Sequence, residues 1–357
     1  TLKRLLLPLG ISFFSFQQLS YLIDAYKGET KDYNLLNFSL FVTFFPQLIA
    51  GPIVLHGEIM PQFDDEEKQK INWDNIATGI FIFSIGFFKK LVIADTFAVW
   101  ATNGFDSTAS LTFYQGWFIS LAYTMQIYFD FSGYSDMAVG IGKIFNIDLP
   151  ANFLSPYKST SISEFWRRWH ITLGRALSTY VYKPLGGNRK GKVRTYINLL
   201  ATFLVSGLWH GSAWTFVFWG LLHGVASVID RLFRDNNWKV NKYLSWLLTF
   251  TFVNCAWVFF RSTSFERAFE ILRAMFSIPY GEVFNMAGII TSGSIVIIGL
   301  IYLLLIGSLV IIFKAKNTYE IADTFEYTSM NAAYVVILMI LGISFMPRIS
   351  PFIYFNF

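Results

Sequence analysis

Residues 114–144 read YQGWFISLAYTMQIYFDFSGYSDMAVGIGKI, a long apolar run that carries two carboxylates, Asp130 and Asp136. A membrane-spanning helix needs about 20 mostly apolar residues, and this run is long enough. Ionisable side chains inside a bilayer are costly, so they need partners or contact with a polar cavity. The stretch therefore predicts a helix in a membrane protein. Its carboxylates, with Tyr134 between them, are expected either to pair with a basic loop or to line a polar substrate path.

The composition of the whole chain agrees with a membrane protein. Of its 357 residues 54% are hydrophobic and only 14% are charged, and the mean hydropathy is +0.47. Soluble domains carry about 25% charged residues, which argues against a soluble fold. The net charge of +5 comes from basic residues in short loops, a pattern that indicates cytoplasmic loops rather than nucleic-acid binding. The single cysteine, Cys255, allows no disulfide within the chain and no cysteine metal cluster.

Apolar segments on both sides of this run predict eight or nine membrane segments in total. Prolines and glycines interrupt several of them, for instance Pro46, Gly51 and Pro52 in the second. Irregular backbone in a bilayer is tolerated only where it is buried in protein or lines a wet cavity, so we expect a cavity. The expected fold is one all-α polytopic domain over residues 1–357. Its segments comprise residues 5–23, 35–55, 76–100, 114–144, 196–229 (as two helices), 242–260, 287–313 and 332–345.

Two loops differ sharply in charge. Residues 64–70 are highly charged and are expected to be solvated, whereas residues 155–196 hold nine lysines and arginines against the single acid Glu164. By the positive-inside rule the basic loop lies on the cytoplasmic side. The sequence begins at Thr1 without an initiator methionine, so we expect a chain trimmed at its N-terminus, with earlier helices missing.

Among the four histidines, His210 stands out because it lies in the apolar stretch SGLWHGSAWT. A neutral imidazole can take a proton from a hydroxyl as that hydroxyl attacks an acyl carbon, so His210 is a candidate general base. The alternative is a neutral histidine that is hydrogen-bonded between helices. Its neighbours include two glycines that would allow close backbone approach and two tryptophans that would wall the site. They are Gly207, Gly211, Trp209 and Trp214.

His170 ends the run EFWRRWH. At helical spacing Trp166, Trp169 and His170 would share one face. One interpretation is an amphipathic helix at the membrane surface. The other is a positive patch, formed by Arg167 and Arg168, that attracts an anionic cofactor beside a histidine in the cavity.

The remaining two histidines suggest less direct roles. His223 follows Trp219 by one helical turn and is expected to stack on it, as a structural residue or as a support for the site. His56 follows Gly51-Pro52 in a predicted loop and is expected to be solvated. The sequence has no Walker A run, so ATP-driven transport by this chain is unsupported.

Five motifs follow one another along the chain. They are FPQLIAGP at 45–52, DFSGYSDMA at 130–138, EFWRRWH at 164–170, PLGGNR at 184–189 and GLWHG at 207–211. In order and spacing this set resembles the membrane-bound O-acyltransferase (MBOAT) family, in the bacterial branch typified by alginate O-acetyltransferase. The likeness runs over nearly the whole chain and is strongest over residues 10–224.

The resemblance implies a fold and a reaction. The family fold is a ring of tilted transmembrane helices with re-entrant segments around a central tunnel, and the family moves an acyl group from a thioester to a hydroxyl. His210 matches the catalytic histidine. His170 matches a second one near the tunnel, which would polarise the thioester carbonyl or orient the acceptor. The side chains expected to bind substrate or cofactor are Arg167, Arg168, Trp166, Trp169, Trp209, Trp214, Asp130, Tyr134 and Asp136.

The resemblance also implies partners. Acetyl-CoA, or another acyl thioester, would be the co-substrate, with no tightly bound cofactor and no metal. Membrane lipids, a surface polysaccharide acceptor and a periplasmic or extracellular acetyltransferase that completes O-acetylation would be the other partners. The implied location is the bacterial cytoplasmic membrane.

Two other functions are compatible with the same residues. A proton-coupled transporter or flippase for a glycan or lipid would use His210 as a proton relay. An acyltransferase could also act on a different polymer, such as teichoic acid or peptidoglycan.

Overall fold

We describe the protein from a computed structural model, in which the described residues are 10–30, 33–48, 51–278 and 295–348. Every regular element in these ranges is helical, as the sequence predicts. The α-helices are α1 (Ile11–Tyr26), α2 (Leu35–Thr43), α3 (Phe45–Leu48), α4 (His56–Phe63), α5 (Trp73–Phe88), α6 (Asp95–Phe105), α7 (Phe113–Ile144), α8 (Ile162–Arg168), α9 (Ile171–Leu177), α10 (Lys192–His210), α11 (Trp214–Asp235), α12 (Lys242–Arg261), α13 (Phe265–Met275), α14 (Ile295–Lys314), α15 (Thr318–Ala322) and α16 (Ser329–Phe345). Two π-helical segments, Lys89–Ala94 and Ser178–Tyr182, interrupt this pattern.

The predicted membrane segments correspond largely to helices, but residues 51–55 of the second segment are not helical. Residues 5–9, 49–50 and 287–294 of the predicted segments lie outside the described residues. In the described part, three helices are long and apolar enough to cross a membrane: Trp73–Phe105, α11 and α12. The stretch Ile301–Lys314 and the helix α16 are apolar but shorter. The other predicted segments form helices that are shorter, broken or more polar. The second is divided into α2 and α3, as its prolines and glycine predict.

Two pairs of facing glycines bring α5 and α7 into backbone contact. A Cβ atom on Gly79 would lie 2.6 Å from the carbonyl oxygen of Gly140, and one on Gly86 would lie 2.5 Å from that of Gly133. Any larger residue would collide there, so glycine is what permits this approach. Small residues serve the same purpose at many helix contacts in membranes. The two pairs fix an antiparallel register between α5 and α7.

That register places the lysines of the first π-helical segment against the carboxylates of α7. Lys89 Nζ lies 2.7 Å from Asp136 Oδ2, and Lys90 Nζ lies 2.6 Å from Asp130 Oδ1. Lys90 also pairs with Asp95, at 2.6 Å. The expectation of an ion pair is confirmed, but its expected partner, the basic loop, is wrong. Both lysines come from the neighbouring membrane helix, and the spacing along one segment does not reveal which helix packs beside it.

The two charged loops differ in structure: one is exposed and the other folds into short helices. Residues 64–70 are exposed apart from a half-buried Lys68, as predicted. The basic loop, in contrast, folds into α8, α9 and the π-helical segment Ser178–Tyr182. These short elements pack beside α10 and α11 and form one wall of the site described below.

The glycine contact between α5 and α7 yields a stability prediction. Gly86→Ala places a methyl group against the Gly133 carbonyl and should destabilise the protein by about 1–3 kcal/mol, as overpacking commonly does. The matched control is Gly57→Ala, because a Cβ atom on Gly57 in α4 has no neighbour within 4 Å. Thermal unfolding in detergent should show a lower midpoint for Gly86→Ala only. Equal midpoints would show that α5 and α7 can move apart without loss of stability.

Candidate active site

His210 is the last residue of α10 and is buried, with 6% of its surface exposed. Its Nδ1 atom lies 2.6 Å from the backbone carbonyl oxygen of Ser206. A carbonyl oxygen can only accept a hydrogen bond, so Nδ1 must carry the proton. In the neutral imidazole the lone pair then lies on Nε2. This is the tautomer that a general base requires. The hydrogen bond from Nδ1 to the backbone fixes the ring and leaves Nε2 as the basic nitrogen.

Aromatic rings enclose the His210 imidazole. Trp209, Trp219 and Phe260 have ring centroids at 4.9, 5.0 and 5.3 Å from it, all in edge-to-face arrangements. The prediction that Trp214 would also wall the site is wrong, because its side chain is 75% exposed at the start of α11. Spacing in the sequence places Trp214 near His210 but does not show that a turn separates the two helices.

The turn between α10 and α11 depends on the glycines that flank His210. A Cβ atom on Gly207 would lie 2.5 Å from the carbonyl oxygen of Phe216, and one on Gly211 would lie 2.5 Å from the Phe216 ring. The expectation of close approach at both glycines is confirmed. The contact holds the end of α10 against the start of α11 and so fixes where His210 stands.

His170 lies outside the helix that the sequence predicts for it. α8 ends at Arg168, and His170 has a φ of 44°, in the left-handed region. Trp166, Trp169 and His170 therefore do not share one helix face, and that prediction is wrong. A left-handed residue turns the chain and cannot be inferred from helical spacing. The side chain of His170 is buried, with 1% exposed, and packs on Phe131 at 4.7 Å.

Asn152 sets the tautomer of His170, and the sequence analysis missed it. The Oδ1 atom of Asn152 accepts hydrogen bonds from the backbone N–H and the hydroxyl of Thr172, at 3.2 and 3.0 Å. Because that oxygen only accepts, His170 Nδ1 at 3.2 Å must be the donor. His170 Nε2 then carries a lone pair, and it has no hydrogen-bond partner among the described residues. The only signal in the sequence was a lone asparagine in an apolar stretch.

The other two histidines make polar contacts of their own. His223 is buried beside Trp219, with ring centroids 4.9 Å apart, and accepts a hydrogen bond from Trp166 Nε1 at 3.2 Å. The predicted contact between His223 and Trp219 is present, but it is edge-to-face and not stacked. The prediction that His56 is solvated is wrong. It is 6% exposed, and its ring nitrogens lie 3.2 Å from Asp24 and 3.3 Å from the Tyr33 hydroxyl.

A cavity of about 580 Å³ opens between the basic elements and the α10–α11 pair. On α10 its wall follows a single helix face that ends at Ser206, the residue whose carbonyl holds His210. From Leu199 to Ser206 this face is about 10 Å long at helical rise. The lining residues are Ser163, Trp166, Arg167, Ile171, Leu173, Gly174, Arg175, Leu177, Ser178, Tyr182, Leu199, Thr202, Phe203, Ser206, Ser227, Arg231 and Arg234.

Arginines give this cavity its charge. Arg175 pairs with a glutamate (2.5 Å), and Arg231 and Arg234 pair with aspartates one helical turn away (2.9 and 3.6 Å). Arg167, in contrast, forms no ion pair with any residue that the structure describes, and it is exposed. Its predicted neighbour in binding, Arg168, pairs with Glu164 at 2.8 Å and does not line the cavity. Arg167 is thus the arginine of the cavity that is available to an anionic ligand.

Of the other predicted binding residues, some lie at the cavity or beside the histidines, and the rest lie in the core or in ion pairs. Trp166 lines the cavity, and Trp209 lies between the two site histidines. Trp169 is 2% exposed and packs on Trp257, within the core. Tyr134 packs half-buried against that core, and Asp130 and Asp136 are held in their ion pairs. Among residues the structure describes, no group of three His, Cys, Asp or Glu side chains could hold a metal ion.

Comparison with known proteins agrees with this architecture. The family model of the membrane-bound O-acyltransferase family (MBOAT) matches residues 2–268. A peptidoglycan O-acetyltransferase of Helicobacter pylori is 52% identical over 301 residues, which cover 76% of this chain and 57% of that protein. A probable alginate O-acetylase AlgI of Pseudomonas putida is 45% identical over 278 residues, covering 77% and 56%.

A more distant relative is also named as a transferase. The teichoic acid D-alanyltransferase of Bacillus subtilis is 29% identical over 249 residues, which cover 67% of this chain and 62% of that protein. The chain thus spans little more than half the length of the curated relatives that it matches. The matched region contains both site histidines and every residue that lines the cavity. On this evidence the chain belongs to the membrane-bound O-acyltransferase family.

Proposed function

We propose that this protein transfers an acetyl group from a thioester to a hydroxyl of a cell-wall polymer. The observation that carries the proposal is that the α10 wall of the cavity leads towards His210, although neither site histidine lines the cavity itself. The cavity wall ends at Ser206, whose carbonyl oxygen fixes His210 in the tautomer with a basic Nε2. An anionic donor can enter at Arg167, and its acyl end can reach the apolar floor about one helical turn from His210.

In the proposed reaction the acceptor hydroxyl oxygen attacks the thioester carbonyl carbon. His210 Nε2 takes the hydroxyl proton during this attack, and the carbon–sulfur bond then breaks. The departing thiolate takes the proton back from Nε2, which leaves an ester, a thiol and the neutral imidazole. His170 Nε2 also carries a lone pair, so it can accept a hydrogen bond from a second polar hydrogen of the acceptor and orient the acceptor for attack. A nitrogen without a proton cannot polarise a carbonyl, so of its two expected roles we propose orientation of the acceptor.

The donor that we propose is acetyl-CoA, with its phosphates at the arginine-rich mouth. Anions are concentrated in a cleft of positive charge, and a guanidinium binds phosphate oxygens through paired hydrogen bonds. The positive charge of the basic loop supports a mouth on the cytoplasmic face of a bacterial cytoplasmic membrane. We propose that the cavity continues past Ser206 as a tunnel among the surrounding helices, so that the acceptor side can open on the opposite face.

Peptidoglycan is the acceptor that we propose. The relative named as a peptidoglycan O-acetyltransferase is 52% identical, against 45% for the one named as a probable alginate O-acetylase. A polymer outside the membrane requires that the acetyl group leave on the side opposite the donor. A periplasmic or extracellular acetyltransferase would receive the acetyl group there on a hydroxyl of its own and pass it on, so peptidoglycan is the final acceptor in this scheme.

Deletion of the gene tests the acceptor. The proposal predicts that ester-linked acetate disappears from purified peptidoglycan and stays unchanged in the exopolysaccharide fraction, when base-released acetate is measured in both. The gene reintroduced on a plasmid should restore it. Loss confined to the exopolysaccharide would replace peptidoglycan with an alginate-like acceptor, and no loss in either fraction would contradict the proposed function.

His210→Gln tests the general base. Removal of such a base typically lowers a rate by about 10²–10⁴, so peptidoglycan acetate should fall to background in cells that carry this variant at normal abundance. His56→Gln is the matched control, since it also replaces a buried histidine but in the closed network with Asp24 and Tyr33. It should keep most of the acetylation. Acetylation at the wild-type level by His210→Gln would eliminate the assignment.

Arg167→Ala tests the entry of the donor. A hydrogen bond to a charged group contributes about 1.5–3 kcal/mol, so the KM for labelled acetyl-CoA in native membranes should rise about tenfold or more. The kcat should change little, because Arg167 does not contact the reacting atoms in this scheme. Arg194→Ala is the control, as Arg194 is an exposed arginine of the same basic loop that does not line the cavity. Equal KM values for both variants would place the phosphates elsewhere.

A further inference from the structure

The tautomers of the two site histidines leave the carbonyl oxygen of the thioester without a hydrogen-bond donor. Attack on a thioester carbonyl creates negative charge on its oxygen, and enzymes stabilise that charge with hydrogen-bond donors aimed at it. His210 and His170 both place their protons on Nδ1, where Ser206 and Asn152 accept them. Nε2 of each ring is therefore an acceptor. Neither imidazole, while neutral, can donate to the carbonyl oxygen.

A buried donor stands between them. Trp209 has its ring centroid 4.9 Å from that of His210 and 6.2 Å from that of His170. Its indole nitrogen Nε1 is inaccessible to solvent and has no hydrogen-bond partner among the residues that the structure describes. An indole N–H only donates, and leaving it unsatisfied in a buried site costs about 1–3 kcal/mol. The carbonyl oxygen of a bound acyl group would supply the missing acceptor.

Trp209 is also held in place. Its ring packs edge-on against Phe13 and Phe16 of α1, at 5.3 and 6.4 Å, so the indole is fixed between α1 and the two histidines. Trp219 has an unpartnered indole nitrogen too, but it is fully buried and stacks on Trp257 at 5.7 Å, in the core behind His210. Of these two indoles, only Trp209 borders both histidines and keeps part of its ring accessible.

From this geometry we propose that Trp209 is a catalytic residue whose Nε1–H donates a hydrogen bond to the carbonyl oxygen of the acyl group, an inference that rests on the proposed acyl transfer. As the acceptor oxygen attacks, the carbonyl electron pair moves onto that oxygen, and the N–H bond stabilises it. The pair returns when the carbon–sulfur bond breaks. The proton that His210 takes and returns is not involved, so Trp209 changes no protonation state.

The test compares Trp209→Phe with wild type in native membranes that contain the full-length protein, with labelled acetyl-CoA as donor and base-labile label as product. The phenyl ring keeps the packing against Phe13 but lacks the N–H. Loss of one such donor lowers kcat by about 10²–10³ while the KM for acetyl-CoA stays close to wild type. Trp117→Phe is the matched control. It removes the indole N–H that donates to the Met275 carbonyl at 2.7 Å, between α7 and α13, and it should keep the wild-type kcat.

A second replacement separates chemistry from packing. Genetically encoded β-(3-benzothienyl)alanine at position 209 has the shape of tryptophan with sulfur in place of the N–H, and it should show the same fall in kcat. A wild-type kcat with this residue would overturn the role of Trp209 and leave the proposed acyl transfer standing. Wild-type membranes that transfer no label would overturn both.

Discussion

Direct backbone contact between α5 and α7 is the constraint on which the rest of the structure depends. Facing glycines let the two helices approach until a methyl group would no longer fit between them. At that distance Lys89 and Lys90 reach the carboxylates of α7, and five charged side chains are paired inside an apolar bundle. The same helix then supports the site. Ser135, beside Asp136, accepts a hydrogen bond from Asn152 at 3.4 Å, and Asn152 holds His170.

The chemistry follows from which nitrogen of each ring carries the proton. Backbone and amide oxygens bind Nδ1 in both site histidines, so two neutral imidazoles present lone pairs in an aromatic enclosure. Charge is costly in such surroundings, which keeps the rings neutral until a hydroxyl gives up its proton. Aromatic residues thereby do more than fill space. In the proposed reaction they exclude water from the thioester and keep His210 in the neutral form that acts as the base.

Sequence reasoning recovered the features that repeat along a single segment. The apolar runs predicted the helices, and the glycines on either side of His210 predicted close packing; His210 as the catalytic base stays a prediction. It failed where the answer depends on another segment or on a single dihedral angle. The lysine partners of Asp130 and Asp136 lie some 40 residues earlier in the chain. The left-handed backbone of His170, just after α8, follows from no periodic pattern. His56 and Asn152 were misjudged or missed because burial is a property of the assembled bundle.

The lysine–aspartate pairs also bear on how the protein is made. Lys89 and Lys90 leave the ribosome before Asp130 and Asp136, so the first long apolar helix emerges with two cations and only Asp95 to offset them. A hydrocarbon environment penalises that intermediate. Insertion of Trp73–Phe105 together with α7, as a hairpin in which both lysines are already paired, would avoid that penalty.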